Sequence, residues 1–387
     1  MYTIATLNKI SPKGLALFTE DYEIVPEAEA AQGILVRSQD MQEMEFSPGL
    51  LAIARAGAGV NNIPVTRCAD QGIVVFNTPG ANANAVKELV LTALLITARN
   101  LTSAIAWTQT LTDDISKTVE KNKSQFAGHE IKGKTLGVIG LGAIGVLVAN
   151  AAEDLGMKVI GYDPYLSVKG AHQLHSTIAI EETLDKLLPF CDYVTIHVPF
   201  MESTKGMIDA KCFELMKEGA CLLNFSRDKL VDENALLEAI EKRKIRDYVT
   251  DFPNDKIAGK EHITCIPHLG ASTAESEENC ARMAVEELMD YIENGNINNS
   301  VNYPECSLGR CTTTARIVVL NKNIPAMLGK ITGILADMNI NIDNLVNRSK
   351  GDYACTLVDV DSPVEEEALK KALLVEEGII SVRVISK

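Results

Sequence analysis

The chain has 387 residues, of which 46% are hydrophobic and 23% charged, and a formal net charge of −15 at pH 7. This length predicts two or three domains, and the composition is typical of a globular enzyme. The acidic charge argues against nucleic acid or an anionic membrane as a partner, because both favour basic surfaces. A small anionic substrate stays possible, since it needs only a few local cations.

The N-terminus, the apolar runs and the cysteines all favour a cytoplasmic protein. No apolar run approaches the roughly 18–20 residues that span a bilayer, and the N-terminus lacks a basic start followed by an apolar core. The nine cysteines include no CxxC pair, which favours reduced thiols over disulfides or a zinc site. His172 and His175 have no third ligand nearby, so no metal is expected.

Short apolar runs alternate with helical segments along the first part of the chain. Three such runs, at 33–38, 51–57 and 72–77, end in small or polar residues. This pattern is typical of buried parallel strands with loops at their carboxyl ends. A long helix is then expected from about Ala85 to Gln109.

A second α/β unit is predicted to begin at Lys134. Its apolar runs again alternate with helical segments, which implies a doubly wound parallel sheet. The runs lie at 135–140, 158–163, 193–198, 220–225, 248–251 and 263–266. An amphipathic helix over 275–295 follows and should end at Gly295.

The last part of the chain predicts a third unit of a different kind. A polar segment with proline and glycine at 302–314 indicates a linker. The residues after it predict the order β-α-β-β-α-β of a ferredoxin-like fold. The predicted fold class is therefore α/β, with two Rossmann-like parallel-sheet domains followed by a small α+β domain.

The sequence GLGAIG at 140–145 matches the G-x-G-x-x-G pattern of dinucleotide sites. The pattern alone is a weak indication, but here it follows an apolar strand, opens a helix and precedes Asp163 at the end of the next strand. Gly140 would permit the tight turn, Gly142 the approach of backbone amides to a pyrophosphate, and Gly145 close packing of helix on strand. Asp163 can accept both ribose hydroxyls and would repel a 2′-phosphate, which favours NAD over NADP. A glycine-rich corner without a ligand is the alternative.

Several further segments are weak motifs singly but specific as a set. They are VRS (36–38), RAGAGVNNI (55–63), NTPGANANAVKE (77–88), GKTLGVIGLGAIG (133–145), YDPY (162–165), HVPFMESTKGMI (197–208), LLNFSRDKLVDENAL (222–236) and PHLGAST (267–273). Through them the chain resembles the D-2-hydroxyacid dehydrogenases nearly from end to end. The resemblance implies a discontinuous substrate-binding domain over 1–100 and 280–302 and an NAD-binding Rossmann domain over 101–279. A linker over 303–314 and a C-terminal domain over 315–387 would follow.

The resemblance implies a catalytic arginine and an acid/base histidine. Arg227 matches the family's arginine, whose guanidinium can hold a substrate carboxylate and polarise the reacting C–O bond. A surface ion pair with Asp228 or Asp232 is the alternative. His268 matches the family's histidine and would take the hydroxyl proton during oxidation. A lone histidine is more often structural, so this assignment depends on the other motifs.

The family also places a carboxylate behind this histidine. Alignment on FP at 252–253 puts Asp255 there and makes it the preferred residue, and the loop from there to His268 is shorter than in the family. Glu261 is a second candidate. Either carboxylate could instead be merely solvated. The resemblance further suggests that Asp251 contacts the nicotinamide carboxamide. Other residues expected around the cofactor, besides Arg227 and His268, are Ala143, Ile144, Val198, Phe225, Ser226, Gly270 and Ala271.

Arg37 and Ser38 resemble the phosphate-binding pair of the family's phosphoglycerate-oxidising members. A guanidinium fork and a hydroxyl suit a phosphate, although Arg37 could be an ordinary cation at a strand end. Ala58 and Gly59 would offer backbone amides to the substrate carboxylate, and Asn82 would reach the substrate from the next loop. The expected reaction is the oxidation of 3-phospho-D-glycerate to 3-phosphohydroxypyruvate by NAD, the first step of L-serine biosynthesis.

The C-terminal unit resembles an ACT domain, a small allosteric module that binds amino acids. Asn323 and Asn341 match positions that bind the effector at a dimer interface in serine-sensitive relatives. Ala326 stands where the motif usually has glycine, and Asn321 where it has histidine, so the effector stays open. Pairing of subunits into a homo-oligomer, a dimer or a tetramer, is expected.

Two other functions stay open at this point. One is another D-2-hydroxyacid dehydrogenase of the hydroxypyruvate or glyoxylate reductase type, against which the VRS segment and the C-terminal unit argue. The other is a non-catalytic protein of this fold that senses NAD, for which Arg227 and His268 would be unnecessary.

Overall fold

The structure is a computed structural model, and it describes residues 1–386. Two compact units divide the chain. The first unit comprises Met1–Asn82 and the chain from Ala274 onward, and the second comprises Ala83–Thr273. The chain therefore leaves the first unit after Asn82 and returns to it at Ala274.

The first unit begins with a five-stranded sheet in which all strands are parallel. Its elements are β1 (Tyr2–Leu7), α1 (Pro12–Leu15), β2 (Tyr22–Val25), β3 (Gly33–Val36), β4 (Ala52–Arg55), α2 (Val65–Asp70) and β5 (Val74–Phe76). The strand order is β2-β1-β3-β4-β5. All four residues of β3 are buried, since both faces of the sheet are covered, and this explains the continuous apolar runs in the sequence.

The second unit is built around a seven-stranded parallel sheet. Its elements are α3 (Ala83–Ala98), α4 (Leu101–Gln109), α5 (Ile115–Asn122), β6 (Thr135–Ile139), α6 (Ala143–Asp154), β7 (Lys158–Tyr162), α7 (Val168–Gln173), β8 (Ala179–Ile180), α8 (Leu184–Leu187), β9 (Tyr193–Ile196), α9 (Ala210–Leu215), β10 (Ala220–Asn224), α10 (Glu233–Glu241), β11 (Ile245–Thr250) and β12 (Ile263–Cys265). The strand order is β12-β11-β10-β9-β6-β7-β8. The predicted doubly wound parallel sheet is confirmed. The strand order reverses between β9 and β6, which is where sheets of this kind bind ligands.

The helix expected from Ala85 to Gln109 is in fact two helices. α3 ends at Ala98 and α4 begins at Leu101, because Asn100 takes the left-handed conformation with φ of 51°, which ends an α-helix. α3 packs against α6 within the second unit, so the unit boundary precedes this helix and does not lie at residue 100. No single helix among residues 1–386 is long and apolar enough to cross a membrane, while α3 and α4, bent by 69°, pass together on length and composition alone.

The chain returns to the first unit through one long helix and then forms a third sheet. These elements are α11 (Ala274–Asn294), β13 (Ala315–Lys322), α12 (Met327–Asp337), β14 (Ile342–Lys350), β15 (Tyr353–Val360), α13 (Glu366–Leu373) and β16 (Ile379–Ser386). The sheet is antiparallel with the order β14-β15-β13-β16. The predicted β-α-β-β-α-β unit is confirmed, and this order is that of a ferredoxin-like fold.

The third sheet has two apolar faces, as the alternation of side chains along a strand requires. One face, which includes Ile317 and Val319, packs with α12 and α13. The other face includes Val318, Leu320 and Leu357 and belongs to the same buried cluster as α11 and the five-stranded sheet. In the segment predicted as a linker, Tyr303, Cys306 and Cys311 are buried. That segment is therefore a packed connection, not an exposed tether.

Candidate active site

The loops after five strands of the seven-stranded sheet lie at one edge of it. All seven strands are parallel, so the loops after β6, β9, β10, β11 and β12 leave the sheet on the same side. The residues in these loops are the 140–145 turn, His197, Arg227, Asp251 and His268. Most of the residues that the sequence predicts to take part in catalysis or cofactor binding lie in these loops. The parallel sheet brings the loops to one edge.

The turn after β6 fits a dinucleotide pyrophosphate. Gly140 has φ of 91°, and a Cβ there would lie 2.7 Å from the carbonyl oxygen of His197. A Cβ at Gly145 would overlap the carbonyl oxygen of Gly140, so only glycine lets α6 lie this close to the turn. Gly142 is the N-cap of α6, and apart from Gly142 and its chain neighbours no heavy atom of residues 1–386 lies within 4 Å of its Cβ position. The free N–H groups at the start of α6 can therefore bind phosphate oxygens.

The carboxylate of Asp163 is fixed beside the glycine turn. Its Oδ2 accepts the N–H of Leu141 at 2.8 Å, and its Oδ1 accepts the N–H of Tyr165 at 2.8 Å. Each oxygen keeps a lone pair with which it can accept a ribose hydroxyl. Val198 lies close to the same turn, since its Cγ1 is 2.9 Å from the Cβ position of Gly140. The residues present thus fit NAD.

Both candidate catalytic side chains contact one aromatic ring, that of Phe252. The guanidinium carbon of Arg227 lies 5.9 Å from the centroid of this ring, and the centroid of the His268 ring lies 4.7 Å from it. The sequence interpretation used Phe252 only to align the following loop. The available signal was an aromatic residue directly after Asp251 at a strand end.

The loop after β10 holds Arg227 through its backbone and its neighbour. Asn224 Nδ2 donates to the carbonyl oxygen of Arg227 at 2.8 Å, and Arg227 Nη1 donates to the carbonyl oxygen of Ser226 at 2.6 Å. Within residues 1–386 Arg227 forms no ion pair with Asp228 or Asp232. Asp232 instead accepts two N–H groups at the start of α10. The guanidinium therefore keeps donors for a substrate carboxylate.

His268 lies in a strained turn with its imidazole exposed. Its φ is 38°, a left-handed conformation that costs roughly 1–2 kcal/mol for a non-glycine residue. Its N–H donates to the carbonyl oxygen of Asp251 at 3.0 Å, and its ring makes no hydrogen bond in the described part of the chain. His197 at the same edge differs, because burial lowers its pKa to about 3. His197 therefore stays uncharged near neutral pH and is unsuited to an acid/base role.

Asp251 is the carboxylate that the structure places against the histidine loop. It is 1% exposed, and its Oδ2 accepts the N–H of Gly270 at 2.9 Å. Burial raises the pKa of Asp251, while the Gly270 N–H and the charges of His268 and Arg227 act in the opposite direction. The two carboxylates named from the sequence lie elsewhere. Asp255 is exposed, and Glu261 pairs at 3.6 Å with the neighbouring His262. Neither forms an ion pair with His268 among the residues described.

The residues expected to bind substrate lie in the first unit. Arg37 and Ser38 follow β3, Ala58 and Gly59 follow β4, and Asn82 lies in the loop after β5. These strands are parallel neighbours, so their loops share the carboxyl edge of the five-stranded sheet.

Two contacts of this edge were not foreseen from the sequence. Arg37 Nη2 lies 2.8 Å from Glu277 Oε1 of α11, and Asn8 Oδ1 accepts the N–H of Ser38 at 2.9 Å. Both join residues distant in sequence, and no local motif marks them.

The two asparagines assigned to an effector do not meet within one chain. Asn323 Nδ2 donates to the carbonyl oxygen of Gly351, in the turn between β14 and β15. Asn341 Nδ2 donates to Asp361 Oδ2, just beyond the end of β15. The antiparallel pair β14–β15 separates these positions by about 25 Å at the usual rise per strand residue.

Comparison with known proteins links this geometry to one family. Residues 91–270 match the family model described as D-isomer specific 2-hydroxyacid dehydrogenase, NAD binding domain. The chain is 33% identical over 367 residues to the D-3-phosphoglycerate dehydrogenase of Haemophilus influenzae, covering 91% of this chain and 86% of that protein. It is 31% identical over 388 residues to the protein of the same name from Methanocaldococcus jannaschii, covering 96% and 69%. The crystal structure of NAD⁺-bound 3-phosphoglycerate dehydrogenase from Entamoeba histolytica superposes with a TM-score of 0.62 at 26% identity, covering 78% of this chain and 98% of that chain.

Proposed function

Because the chain belongs to the D-isomer specific 2-hydroxyacid dehydrogenase family, we propose that it oxidises 3-phospho-D-glycerate to 3-phosphohydroxypyruvate with NAD, the first step of L-serine biosynthesis. One observation carries the catalytic part of the proposal. The glycine turn after β6, Arg227 and an exposed His268 lie at the same edge of one sheet. The substrate follows from the relatives, which bear the name D-3-phosphoglycerate dehydrogenase.

NAD, when bound, supplies the acceptor for the hydride that leaves C2 of the substrate. The N-terminal amides of α6 bind its pyrophosphate, with Gly142 leaving room for the approach. Asp163 accepts the ribose hydroxyls, and its charge disfavours a 2′-phosphate. Ala143 and Ile144 in the same turn, Val198, Phe225 and Ser226 in the loops after β9 and β10, and Gly270 and Ala271 beyond β12 complete the cofactor surface.

Arg227 and His268 carry out the polar part of the reaction. Arg227 holds the substrate carboxylate and polarises the C2–O bond. As hydride leaves C2, His268 takes the hydroxyl proton and the C2–O bond becomes a carbonyl. His268 is exposed, so it can pass the proton to solvent. Phe252 contacts both side chains and holds them in a fixed relation.

Asp251 positions the histidine loop. Its backbone carbonyl accepts the N–H of His268, and its carboxylate accepts the N–H of Gly270. A negative Asp251 also stabilises the imidazolium that forms on His268. Asp255 stays a second candidate for the partner of His268, supported only by its alignment on the FP segment. The carboxylate of Asp251 can also contact the nicotinamide carboxamide through Oδ1, which is buried without a partner in the described residues.

The substrate phosphate is assigned to Arg37 and Ser38. The carboxylate end of the substrate is assigned to the backbone amides of Ala58 and Gly59 and to the side chain of Asn82. Support comes from their common position at the carboxyl edge of the five-stranded sheet and from the match of a guanidinium to a phosphate.

The test of the substrate is NADH formation with 3-phospho-D-glycerate, measured against D-glycerate and other unphosphorylated 2-hydroxy acids. We expect the phosphorylated substrate to have the highest kcat/KM. Turnover of an unphosphorylated acid alone would instead support the second candidate, a hydroxypyruvate or glyoxylate reductase. No turnover of any 2-hydroxy acid would favour a protein that only senses NAD.

The test of the two catalytic residues uses Arg227→Ala and His268→Ala. Each should lower kcat by about 10²–10⁴-fold and leave NADH binding, followed by fluorescence titration, largely unchanged. A His268→Ala protein with near-normal rates would contradict the acid/base assignment.

The assembly and regulation are proposed from the remaining surfaces. No residue of α4 is buried, although Leu101 and Ile105 are apolar and 40% and 56% exposed. We expect a second copy of the chain to cover this helix in a dimer or tetramer. Asn323 and Asn341 can share one effector site only if two chains contribute to it. Isothermal titration with serine, repeated on Asn323→Ala, tests the regulatory role.

The proposed compartment is the cytoplasm. All nine cysteines are free thiols, which suits a reducing compartment.

A further inference from the structure

The guanidinium of Arg37 is already bound by a carboxylate of its own unit. Arg37 Nη2 lies 2.8 Å from Glu277 Oε1, and the two side chains are 40% and 44% exposed. Arg37 follows β3, and Glu277 lies in the first turn of α11. The group assigned to the substrate phosphate thus has an anionic partner before any substrate arrives.

We propose that Glu277 is a specificity-determining residue that competes with the substrate phosphate for Arg37. The inference rests on the proposed oxidation of a phosphorylated 2-hydroxy acid. A carboxylate and a phosphate accept the same guanidinium donors. A phosphate must therefore displace or share Glu277, and the carboxylate charge also repels it. Glu277 weakens the binding of phosphorylated substrates and leaves unphosphorylated ones unaffected.

The backbone around Arg37 is fixed, so the exchange of partners involves the side chain. Asn8 Oδ1 accepts the N–H groups of Ser38 and Gln39 at 2.9 and 2.6 Å. Arg55 Nε donates to the carbonyl oxygen of Arg37 at 3.1 Å. With the loop held in this way, the Arg37 side chain turns from Glu277 to the phosphate without a loop rearrangement. The competition then acts on KM and not on kcat.

The neighbouring ion pair on α11 offers a matched control. Lys13 Nζ lies 2.7 Å from Glu278 Oε2, with side chains 69% and 27% exposed. Exposed pairs of this kind contribute little to stability, so neither Glu277→Gln nor Glu278→Gln should unfold the protein. Both substitutions remove one negative charge from the same helix turn. Only Glu277→Gln frees the group proposed to bind phosphate.

The experiment measures kcat and KM of the full-length wild type, E277Q and E278Q with 3-phospho-D-glycerate and with D-glycerate. In E277Q we expect the KM for the phosphorylated substrate to fall by about two- to fivefold, the range of a partly exposed ionic interaction. The kcat values and the KM for D-glycerate should stay within about twofold of the wild type. E278Q should match the wild type with both substrates.

The outcomes separate the failure of this inference from the failure of the proposed function. If the wild type oxidises 3-phospho-D-glycerate and E277Q has an unchanged or higher KM for it, Glu277 does not compete for Arg37 and the proposed function stands. An equal fall in KM for both substrates also contradicts the inference, because D-glycerate carries no phosphate. If the wild type oxidises D-glycerate but not the phosphorylated substrate, the proposed function fails and the inference fails with it.

Discussion

Because the space in front of Gly142 is empty, a substitution at this residue can change the affinity for NADH without changing the stability of the fold. The backbone there has φ of −75° and ψ of −161°, which alanine adopts, and the described part of the chain places no non-neighbouring heavy atom within 4 Å of the Cβ position. Gly142→Ala should therefore change the free energy of unfolding by no more than about 0.5 kcal/mol. It should weaken NADH binding at least about tenfold, because the methyl group blocks the approach of the pyrophosphate. Urea unfolding and fluorescence titration measure the two quantities.

Gly145→Ala serves as the contrasting variant. Its Cβ overlaps the carbonyl oxygen of Gly140, so it should lower both NADH affinity and stability, the latter by about 1–3 kcal/mol. Normal NADH binding by Gly142→Ala would show that the pyrophosphate does not lie at the start of α6.

The buried carboxyl of Glu287 should make the stability of the folded protein depend on pH. Its Oε1 accepts Asn299 Nδ2 at 2.7 Å, while its Oε2 is buried without a partner in the residues described. Burial raises the pKa of Glu287 from 4.5 to about 8. The folded protein then holds a proton that the unfolded chain has lost, so the contribution of Glu287 to stability is full below about pH 4.5 and lost as the pH rises to about 8.

Glu287→Gln should abolish that loss. Above about pH 8 the variant should be more stable than the wild type by up to roughly 5 kcal/mol, and near pH 5 the two should be similar. Urea unfolding at several pH values measures the difference, with the exposed neighbour Glu286→Gln as the control. A difference that does not depend on pH would show that the Glu287 carboxyl is ionised in the folded protein.

The site residues that were found from the sequence lie in short motifs, whereas those that were missed depend on contacts between residues distant in the sequence. Gly140 and its partner glycines stand in a short motif whose spacing reports the strand–turn–helix geometry directly. Phe252 and Glu277 act through contacts with residues far away in the sequence. The sequence shows that Phe252 follows a strand end, but no spacing rule encodes its two contacts or that of Glu277, so these contacts emerge only from the fold.

At the scale of elements, the sequence predicted most of the buried strands of the two parallel sheets, although it missed the interior strand β1 and predicted the half-buried edge strand β12. β3 and β9 are buried throughout and appear as continuous apolar runs. β2 and β8 are sheet edges and were not predicted. β8 has only two residues, both exposed, and so has no apolar run to show. Edge strands gain much of their order from the neighbour they pair with, which a single sequence does not display.

The break between α3 and α4 had a weak signal in the sequence. Asparagine is one of the few residues besides glycine that adopt the left-handed conformation readily, and Asn100 has φ of 51°. The continuous apolar periodicity through this region outweighed that signal. Asn100→Gly should keep or slightly raise stability, whereas Asn100→Val should lower the free energy of unfolding by about 1–2 kcal/mol.

Urea unfolding of the two Asn100 variants side by side measures this effect. The Gly variant controls for loss of the asparagine side chain. If Asn100→Val were as stable as the wild type, the helical path would be continuous at this position.

At the scale of the whole molecule, α11 connects the third sheet to the carboxyl edge of the five-stranded sheet. Arg383 Nη1 and Nη2 donate to the carbonyl oxygens of Ile292 and Tyr291, and Arg316 Nη1 donates to that of Asn294. Positive groups at a helix C-terminus satisfy its free carbonyls and its dipole. The first turn of the same helix carries Glu277, the partner of Arg37. The C-terminal unit is thus joined by a packed helix to the residues that we assign to the substrate phosphate.

The buried ion pair Arg316–Asp359 allows this attachment to be tested in the full-length protein. Arg316 is fully buried and binds both carboxylate oxygens of Asp359, at 2.6 and 2.9 Å. Arg316→Met leaves that carboxylate buried without a counter-charge and removes a cap from α11. The free energy of unfolding should therefore fall by about 3–5 kcal/mol. The double variant Arg316→Met/Asp359→Leu should recover much of this loss, because no buried charge remains.

Urea unfolding of both variants measures these differences, with Lys370→Met as the control. Lys370 pairs with Glu366 on the surface of α13 at 3.0 Å, and losing an exposed pair should cost no more than about 1 kcal/mol. If Arg316→Met cost no more than Lys370→Met, the carboxylate of Asp359 would have found water or a proton, and the third sheet would be held by its apolar face alone. If Arg316→Met lowers the free energy of unfolding strongly and the double variant recovers only part of it, the unrecovered part is due to the lost hydrogen bond between Arg316 and the end of α11.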